Sequence, residues 1–409
     1  MPISRSPTPR AAVCDVLVAG AGLAGLVAAI AFARAGFDVV ACGRNERLAA
    51  GRTVAMLDRA VGYLRSLDLW QAVEPKAAAM RALRIVDDTG GLFPPRPVEF
   101  HSSEIGLDTF GWNVENDQIA DALAAAAGCA AGVERIALPV TGYDFSGARA
   151  TATLSDGREI VASLIVGADG RESPSRKASG LVVRRRAYPQ SAMTALLAHH
   201  LPHEGFSTEF HTRAGPFTLV PLPPAEGAPN RSSLVWLMAP EDARRRAALA
   251  DDALADEIER QAHALLGAMR PEGQRGVFPM VRQVVPRIVA ERLALIGDAA
   301  HAFPPIGAQG LNLGLRDIET LVACAREARA EGRDIGGEEA LREYERCRRA
   351  DITMRTAAVD GLNRSLLAHF APVDFARGAG LAALDGIGPL RRLVMREGVS
   401  AGLHNFARR

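Results

Sequence analysis

One stretch near the amino terminus, residues 13–42, constrains the fold of this chain more than any other. A β-rich apolar run at residues 13–19 leads into G-A-G-L-A-G at residues 20–25 and then into an apolar helical stretch that Gly36 ends. Residues 37–42 follow as the next predicted strand, which completes the length and order of a βαβ unit. The sequence therefore predicts an α/β fold of the Rossmann type.

The glycines of this motif have separate predicted tasks. Gly20 makes the tight turn, Gly22 lets the backbone approach a pyrophosphate, and Gly25 lets the helix pack on the strand. The phosphates of a dinucleotide are then expected at the amino terminus of the helix. A plain strand-to-helix turn is the alternative interpretation.

The usual acidic residue at the end of the second strand is missing. Gly43 and Arg44 follow the strand, so no carboxylate is available there for the ribose hydroxyls of a dinucleotide. Two arginines are the candidates to hold the ribose in its place, Arg44 itself and Arg52.

Composition excludes several classes of protein. With 48 basic and 47 acidic residues the formal charge is +1, so the chain has no general attraction for nucleic acid. Five scattered cysteines without a C-x-x-C pair argue against disulfides and zinc, and the histidines lack metal-ligand spacing, so no metal is predicted. Residues 1–10 are polar and no long apolar span follows, which favours a cytoplasmic protein without a signal peptide.

Two further motifs each follow an apolar strand. They are G-A-D-G-R-E-S-P-S-R at residues 167–176 and L-I-G-D-A-A-H-A-F-P-P-I-G-A-Q-G-L-N at residues 295–312. Together with the first glycine motif, they resemble the single-component FAD-dependent aromatic hydroxylases in order and separation. Within that group the chain is most similar to the ubiquinone-biosynthesis hydroxylases of the UbiH type, on stretches that include G-R-T-V-A-M-L from Gly51 and G-A-Q-G-L-N-L-G-L-R-D from Gly307.

The resemblance implies a p-hydroxybenzoate-hydroxylase-like architecture. An FAD-binding domain of residues 1–75, 109–183 and 289–332 is expected, with an inserted β-rich substrate domain of residues 76–108 and 184–288. A helical carboxyl-terminal region, residues 333–409, follows. From the pattern alone, a second helix is predicted over residues 54–67.

The resemblance also implies roles for particular residues. Asp298 is expected to accept hydrogen bonds from the ribityl hydroxyls, and Asp169 to help place both the FAD pyrophosphate and the nicotinamide cofactor. The remaining expected cofactor contacts are Gly20, Gly22, Gly25, Arg44, Arg52, Gln118, Gly170, Gly297, Gly310, Leu311 and Asn312. The loop expected against the isoalloxazine ring, and so assigned to catalysis, comprises Pro304, Pro305, Gly307, Gln309 and Gly310.

The implied activity is hydroxylation of the aromatic ring of a polyprenylated phenol in ubiquinone biosynthesis. FAD, NADH or NADPH, and O2 are the implied cofactor and cosubstrates, with a flavin C4a-hydroperoxide as the oxygen donor. A prenyl-chain reductase of the same fold and a non-catalytic flavin-binding scaffold of a quinone-synthesis complex are the alternatives. No general base for the phenol can be named from the sequence, because isolated histidines such as His211 and His301 are more often structural.

The last predicted helix has a basic amphipathic pattern. Arginines 391, 392 and 396 alternate with leucines and valine between Gly388 and Arg409. Two interpretations stay open: an ordinary packed helix, or a peripheral contact with the inner face of the membrane or with other ubiquinone-synthesis proteins.

Overall fold

A computed structural model of the protein describes residues 12–44, 51–90, 96–304, 309–367 and 386–400. The strands within these ranges are β1 (Ala12–Ala19), β2 (Val39–Cys42), β3 (Thr53–Leu57), β4 (Ala77–Met80), β5 (Ala82–Asp88), β6 (Val98–His101), β7 (Gly111–Glu115), β8 (Val133–Ile136), β9 (Val140–Asp144), β10 (Ala150–Leu154), β11 (Glu159–Gly167), β12 (Arg184–His199), β13 (Phe206–Thr212), β14 (Gly215–Leu222), β15 (Arg231–Met238), β16 (Met269–Val284), β17 (Val289–Ala290), β18 (Leu293–Leu295) and β19 (His301–Ala302). The α-helices are α1 (Leu23–Arg34), α2 (Asp58–Ser66), α3 (Trp70–Val73), α4 (Asn116–Cys129), α5 (Pro174–Ala178), α6 (Pro240–Ala247), α7 (Asp251–Gln261), α8 (Gln309–Ala330), α9 (Glu338–Leu367) and, by our numbering, α10 (Gly388–Ser400).

The first sheet has the strand order β17-β18-β11-β1-β2-β8, with β10 beside β11 and β9 beside β10. The strands β18, β11, β1, β2 and β8 are parallel neighbours. The apolar runs of β1, β2, β11 and β18 are buried, as in other parallel sheets, whereas β8 at the edge is only half-buried. Helices α1 and α8 pack against each other beside this sheet. This confirms the predicted α/β fold.

The large sheet has the order β19-β16-β12-β15-β14-β13-β5-β6 and is antiparallel except between β13 and β5. Helices α6 and α7 cover one face, where Phe217, Trp236, Leu254 and Ile258 form a second core. Strand β19 pairs with β16 and so joins this sheet to the third sequence motif, residues 295–312.

A small sheet, β3-β7-β4, lies against the opposite face of the large sheet. The side-chain amide of Asn113 on β7 donates to the carbonyl of Pro221 (2.9 Å) and to Ser233 Oγ (3.1 Å). The predicted helix over residues 54–67 is wrong at its start: Thr53–Leu57 is a strand because it pairs with β7, and the helix begins at Asp58. The domain bounds given above stay a prediction.

Candidate functional site

The three sequence motifs begin at the carboxyl ends of three adjacent strands, β1, β11 and β18. Ala19 is level with Gly167, and Gly167 is level with Leu295. The amide of Ala168 donates to the carbonyl of Ala19 (2.8 Å), and the amide of Ile296 donates to the carbonyl of Gly167 (3.0 Å). Segments far apart in the sequence therefore meet at one edge of the first sheet, which is where α/β proteins bind nucleotides.

The backbone around the first motif leaves room for a side chain at only one of its three glycines. A Cβ at Gly20, whose φ is +128°, would lie 2.2 Å from the carbonyl oxygen of Ala168, and a Cβ at Gly25 would lie 2.0 Å from that of Gly20. A Cβ at Gly22 would meet nothing within 4 Å. Gly20 and Gly25 thus allow close packing of the chain, whereas Gly22 borders open space of the kind a pyrophosphate needs.

The amino terminus of α1 is suited to an anion. Its cap is Gly22, no side chain caps the first turn, and no acidic residue lies in that turn. The first amides and the positive end of the helix dipole are therefore available to phosphate oxygens. The site fits a dinucleotide cofactor on this local geometry.

Close packing also explains why no acidic residue ends β2. A Cβ at Gly43 would lie 2.6 Å from the backbone nitrogen of Ala21. Any side chain is thus excluded at the position that the ribose-binding acidic residue usually occupies. Arg44, the next residue, is exposed, and its contact with the cofactor stays a prediction.

The Asp169 carboxylate stabilises its own turn. It accepts a hydrogen bond from Ser173 Oγ (2.5 Å) and another from the amide of Ser175 (2.8 Å), which fixes the start of α5. The side chain remains half-buried at the sheet edge, beside Gly170. Its predicted contact with FAD is therefore additional to a structural task.

Arg176, the last residue of the second motif, has a structural task that the sequence alone does not indicate. Its buried guanidinium donates to the carbonyl of Ala299 (2.8 Å) and to that of Arg171 (2.7 Å). It therefore connects the Asp-Gly motif, residues 167–176, to the Gly-Asp motif, residues 295–312. The signal was an arginine at the end of the motif, after the short polar run S-P-S.

Asp298 lies at the same edge with its side chain half-exposed. It forms an ion pair with Arg171 at 3.2 Å. Burial lowers the pKa of the nearby Arg52, and the positive charge of Arg171 lowers it further, against the opposing effect of Asp298. These three side chains, two basic and one acidic, form the charged part of the candidate site. Gly297 lies beside them, close to α1, because a Cβ there would contact Ala24.

The other predicted cofactor contact on this side is Gln118. It is exposed in the first turn of α4, and the amide that begins this helix, that of Asn116, donates to the carbonyl of Arg52 (3.0 Å). The first turn of α4 is therefore next to the backbone of Arg52. The contact of Gln118 with FAD stays a prediction.

The predicted flavin loop is described only at its two ends. Pro304 is buried, Pro305 and Gly307 lie outside the described residues, and α8 begins at Gln309. Gly310 and Leu311 in its first turn are half-buried, and that turn contains no acidic residue. The positive end of α8 therefore borders the loop.

The Asn312 side chain binds protein backbone. Its Oδ1 accepts from the amide of Leu57 (2.8 Å) and its Nδ2 donates to the carbonyl of Ala55 (2.8 Å). It fixes the first turn of α8 to strand β3, which in turn contacts the large sheet. Its task in the described structure is to position the loop.

A buried cluster behind the loop was not predicted. The Asp317 carboxylate, 0% exposed, accepts from the amide of Gly297 (3.0 Å), from His301 Nε2 (2.6 Å) and from Arg348 Nε (2.7 Å). Burial raises the pKa of Asp317, but the neighbouring His301 and Arg348 lower it, and the net result is below the ordinary value. Arg348 also pairs with Asp351 on α9 (2.9 Å).

This cluster, Asp317 with Gly297, His301, Arg348 and Asp351, joins the Gly-Asp motif to α8 and α9. The hydroxyl of Tyr344 adds a donation to the carbonyl of Leu295 (2.8 Å). The signal for the cluster was the pair of charged runs L-R-D, residues 315–317, and R-R-A-D, residues 348–351, each on a helix that is otherwise amphipathic. Charged residues at such positions are buried only when paired.

Comparison with known proteins agrees with this geometry. The family model described as FAD binding domain matches residues 13–357. The chain belongs to the FAD-dependent monooxygenase family. FAD is accordingly its cofactor, and the resemblance found in the motifs is confirmed.

Two curated relatives span nearly the whole chain. Ubiquinone hydroxylase UbiL of Rhodospirillum rubrum is 35% identical over 94% of this chain and 89% of its own length. The 3-demethoxyubiquinol 3-hydroxylase of Escherichia coli is 28% identical over 93% of this chain and 97% of its own.

Solved structures share the fold. The p-nitrophenol 4-monooxygenase PnpA from Pseudomonas putida has a TM-score of 0.76 at 19% identity, covering 95% of this chain and 98% of that one. HpxO from Klebsiella pneumoniae, complexed with FAD and uric acid, has a TM-score of 0.75 at 21% identity, covering 95% and 97%. The architecture predicted from the motifs is thereby confirmed.

Proposed function

We propose that this protein hydroxylates the aromatic ring of a polyprenylated phenol in ubiquinone biosynthesis, with NADH or NADPH and O2 as cosubstrates. The observation that supports this most is the meeting of three flavoprotein motifs at one sheet edge, in a chain similar over 94% of its length to a ubiquinone hydroxylase. When bound, FAD supplies the redox and oxygen chemistry, taking a hydride from the nicotinamide and delivering one oxygen atom to an electron-rich ring.

The residues of the chain bind and orient. The amino terminus of α1 holds the pyrophosphate, with Gly22 leaving the space. Asp298 accepts from ribityl hydroxyls, and Arg52 neutralises phosphate charge. The end of α8 faces the flavin loop, where its amides stabilise negative charge on the reduced ring.

Labelled oxygen tests this function directly. The purified protein, with FAD, NADH or NADPH, and a short-chain prenylated phenol, is expected to add one atom from ¹⁸O₂ to the ring and none from labelled water. Label from water would exclude a monooxygenase. A product changed only in side-chain unsaturation would favour the prenyl-chain reductase, and absence of any product would favour the scaffold.

Access to a polyprenylated substrate suggests a membrane contact for α10. No helix in the described part of the chain is long and apolar enough to cross a membrane. Helix α10 contacts the protein through Arg391, which pairs with Glu104 (2.6 Å), and through buried Met395. Its other side exposes Leu390, Leu393 (58% exposed) and Val394 next to Arg392 and Arg396.

This outward side of α10 matches an anionic lipid surface, because apolar groups insert and arginines pair with headgroups. The double variant Leu393→Ser/Val394→Ser is expected to lose co-sedimentation with vesicles that contain anionic lipid and to keep activity on a soluble phenol. Met354→Ser, at another exposed apolar side chain on α9, is the matched control. Equal co-sedimentation of all three proteins would exclude the contact.

A further inference from the structure

The face of the large sheet that is turned toward the small sheet and the FAD-binding edge is called here the flavin-side face. Ser233 on β15 marks it, because it contacts Asn113 of β7. Val235 is two residues further and therefore points the same way. Val235 pairs with Thr194 on β12 and with Thr218 on β14, and Thr218 pairs with Glu209 on β13. These four residues therefore form one row across the same face.

His211 lies on this flavin-side face, two residues beyond Glu209 on β13. A second row of the same face includes Ala192 and Phe278, which are level with each other. Arg52 stacks over the Phe278 ring at 4.8 Å. The face that presents His211 is therefore the one that meets the candidate cofactor site.

The hydrogen bonds of His211 are incomplete. Its Nε2 lies 2.8 Å from Glu209 Oε1, and Thr218 Oγ1 lies 3.5 Å from the other oxygen of that carboxylate. Because a carboxylate accepts, Nε2 holds the hydrogen and Nδ1 presents a lone pair. Nδ1 is buried, and no described residue donates to it.

A second acceptor of the same kind lies at this end of the sheet. The Gln190 side chain donates from Nε2 to the carbonyl of Ala214 (2.7 Å) in the turn between β13 and β14. Its Oε1 is buried and also has no donor among the described residues. Gln190 and Leu237 both lie close to Gly215. Two buried acceptors without donors among the described residues, at one end of the sheet, point to a ligand that brings its own hydrogen.

We propose that His211 Nδ1 is the base that accepts the phenolic proton of the substrate, with Glu209 as the positioning residue that holds its tautomer. This inference rests on the proposed function. The phenol O–H bond breaks, its electron pair stays on oxygen, and the proton forms an N–H bond at Nδ1. The Glu209 carboxylate stabilises the resulting imidazolium.

The negative oxygen then makes the ring carbons more nucleophilic toward the transferred oxygen atom. After transfer, the substituted ring carbon releases its hydrogen as a proton to solvent, and the phenolate oxygen takes a proton back from His211. The pair thus returns to its starting state. Glu209 is only half-buried, so protons can exchange between the pair and solvent through its carboxylate.

The test compares two soluble probes, 2-prenylphenol and 2-prenylaniline, each with one isoprene unit. The aniline ring is electron-rich without losing a proton. His211→Asn is expected to lower kcat for the phenol by roughly 100-fold and for the aniline by less than about threefold. The rate of FAD reduction by NADH should be unchanged. The NADH oxidation that is no longer coupled to hydroxylation should reduce O2 to hydrogen peroxide instead.

His199→Asn is the matched control. His199 is equally buried in the same sheet, but both of its ring nitrogens have partners, Leu201 O (2.7 Å) and Ser232 Oγ (2.9 Å). Its loss is expected to cost stability and to leave the phenol-to-aniline ratio unchanged. Glu209→Gln should reduce the phenol rate by roughly tenfold with little change in KM.

A measurement on the unmodified enzyme does not depend on how any variant folds. At neutral pH the bound 2-prenylphenol should show the red-shifted ultraviolet absorbance of a phenolate, although the free phenol is protonated. A bound phenol that stays neutral, or equal loss on both probes in His211→Asn, overturns the inference. If the unmodified enzyme oxygenates neither probe, the proposed function fails, and the inference fails with it.

Discussion

The edge of the first sheet and the flavin-side face of the large sheet differ in how they position side chains. At the edge, each chemically important residue follows directly after a parallel strand, so it belongs to a short continuous motif. On the face, Glu209, Thr218 and Thr194 come together only through cross-strand registry. The first arrangement depends on backbone that cannot move, and the second depends on side chains that can adjust.

The largest expected effect follows from that difference in rigidity. Gly25→Ala places a methyl group 2.0 Å from a backbone carbonyl, whereas Gly276→Ala in the large sheet would meet the Phe278 ring at 2.4 Å, a side chain that can rotate. We expect Gly25→Ala to cost more than about 4 kcal/mol and to yield little folded protein. Gly276→Ala should cost about 1 to 3 kcal/mol. Soluble yield and urea unfolding measure both, and equal losses would contradict the comparison.

The next effect concerns charge. Asp317→Asn leaves Asp351 to balance the buried Arg348 as well as Arg316 and Arg355, and about 3 to 5 kcal/mol of stability should be lost, together with FAD occupancy. Glu257→Gln removes the carboxylate of an ion pair on the two helices that cover the large sheet. In that pair, Glu257 of α7 contacts Arg246 (2.7 Å) of α6. That pair is partly exposed, so its loss should cost less than about 1 kcal/mol. Urea unfolding of the two variants and the flavin absorbance of the purified proteins decide the point.

A smaller effect separates folding from cofactor binding at the edge itself. Gly22→Ala adds a methyl group in open space, at a backbone conformation that alanine adopts freely. The unfolding midpoint of the FAD-free protein should stay the same, while FAD affinity falls on the order of tenfold, about 1.4 kcal/mol. Fluorescence titration with FAD provides the measurement. Unchanged affinity would remove the pyrophosphate from this position.

The smallest effect is one of acid stability. Hydrogen bonding to Arg245 and then to Arg246 outweighs burial and lowers the pKa of Glu257 from 4.5 to about 2. A lowered carboxyl pKa adds stability that is complete above pH 4.5 and is lost as the pH falls toward 2. Since the pair is partly exposed, the loss should stay below about 1 kcal/mol. The melting temperature of Glu257→Gln should therefore be lower than that of the unmodified protein at pH 6 and approach it near pH 2. A difference that stays constant with pH would contradict the lowered pKa of Glu257.

The two regions also differ in what the sequence could reveal. The βαβ unit, the Asp-Gly motif and the Gly-Asp motif were predictable because adjacent residues share one task there. The sequence of β3 favours a helix because its short apolar run has no helix-specific or strand-specific period, and only pairing with β7 makes it a strand. The Asp317–Arg348 pair joins positions 31 residues apart, and no local pattern indicates that two such helices pack together.

The surroundings of His211 on the large sheet also could not be predicted from the sequence. From the sequence it was one isolated histidine, and its interest arises from Glu209 two residues away and from a sheet face that only the strand order defines. The contacts that Arg44, Arg52, Gln118 and Asp298 make with FAD stay predictions.

The Asp317 cluster has a consequence for the synthesis of the protein. Asp317 lies on α8, but its partner Arg348 and the Tyr344 hydroxyl lie on α9, which leaves the ribosome later. Until α9 has emerged, the Asp317 carboxylate, which accepts from the amide of Gly297, lacks Arg348 and cannot be buried at low cost. Capture of FAD is therefore expected near the end of translation, and chains truncated before α9 would be released empty, as substrates for proteases.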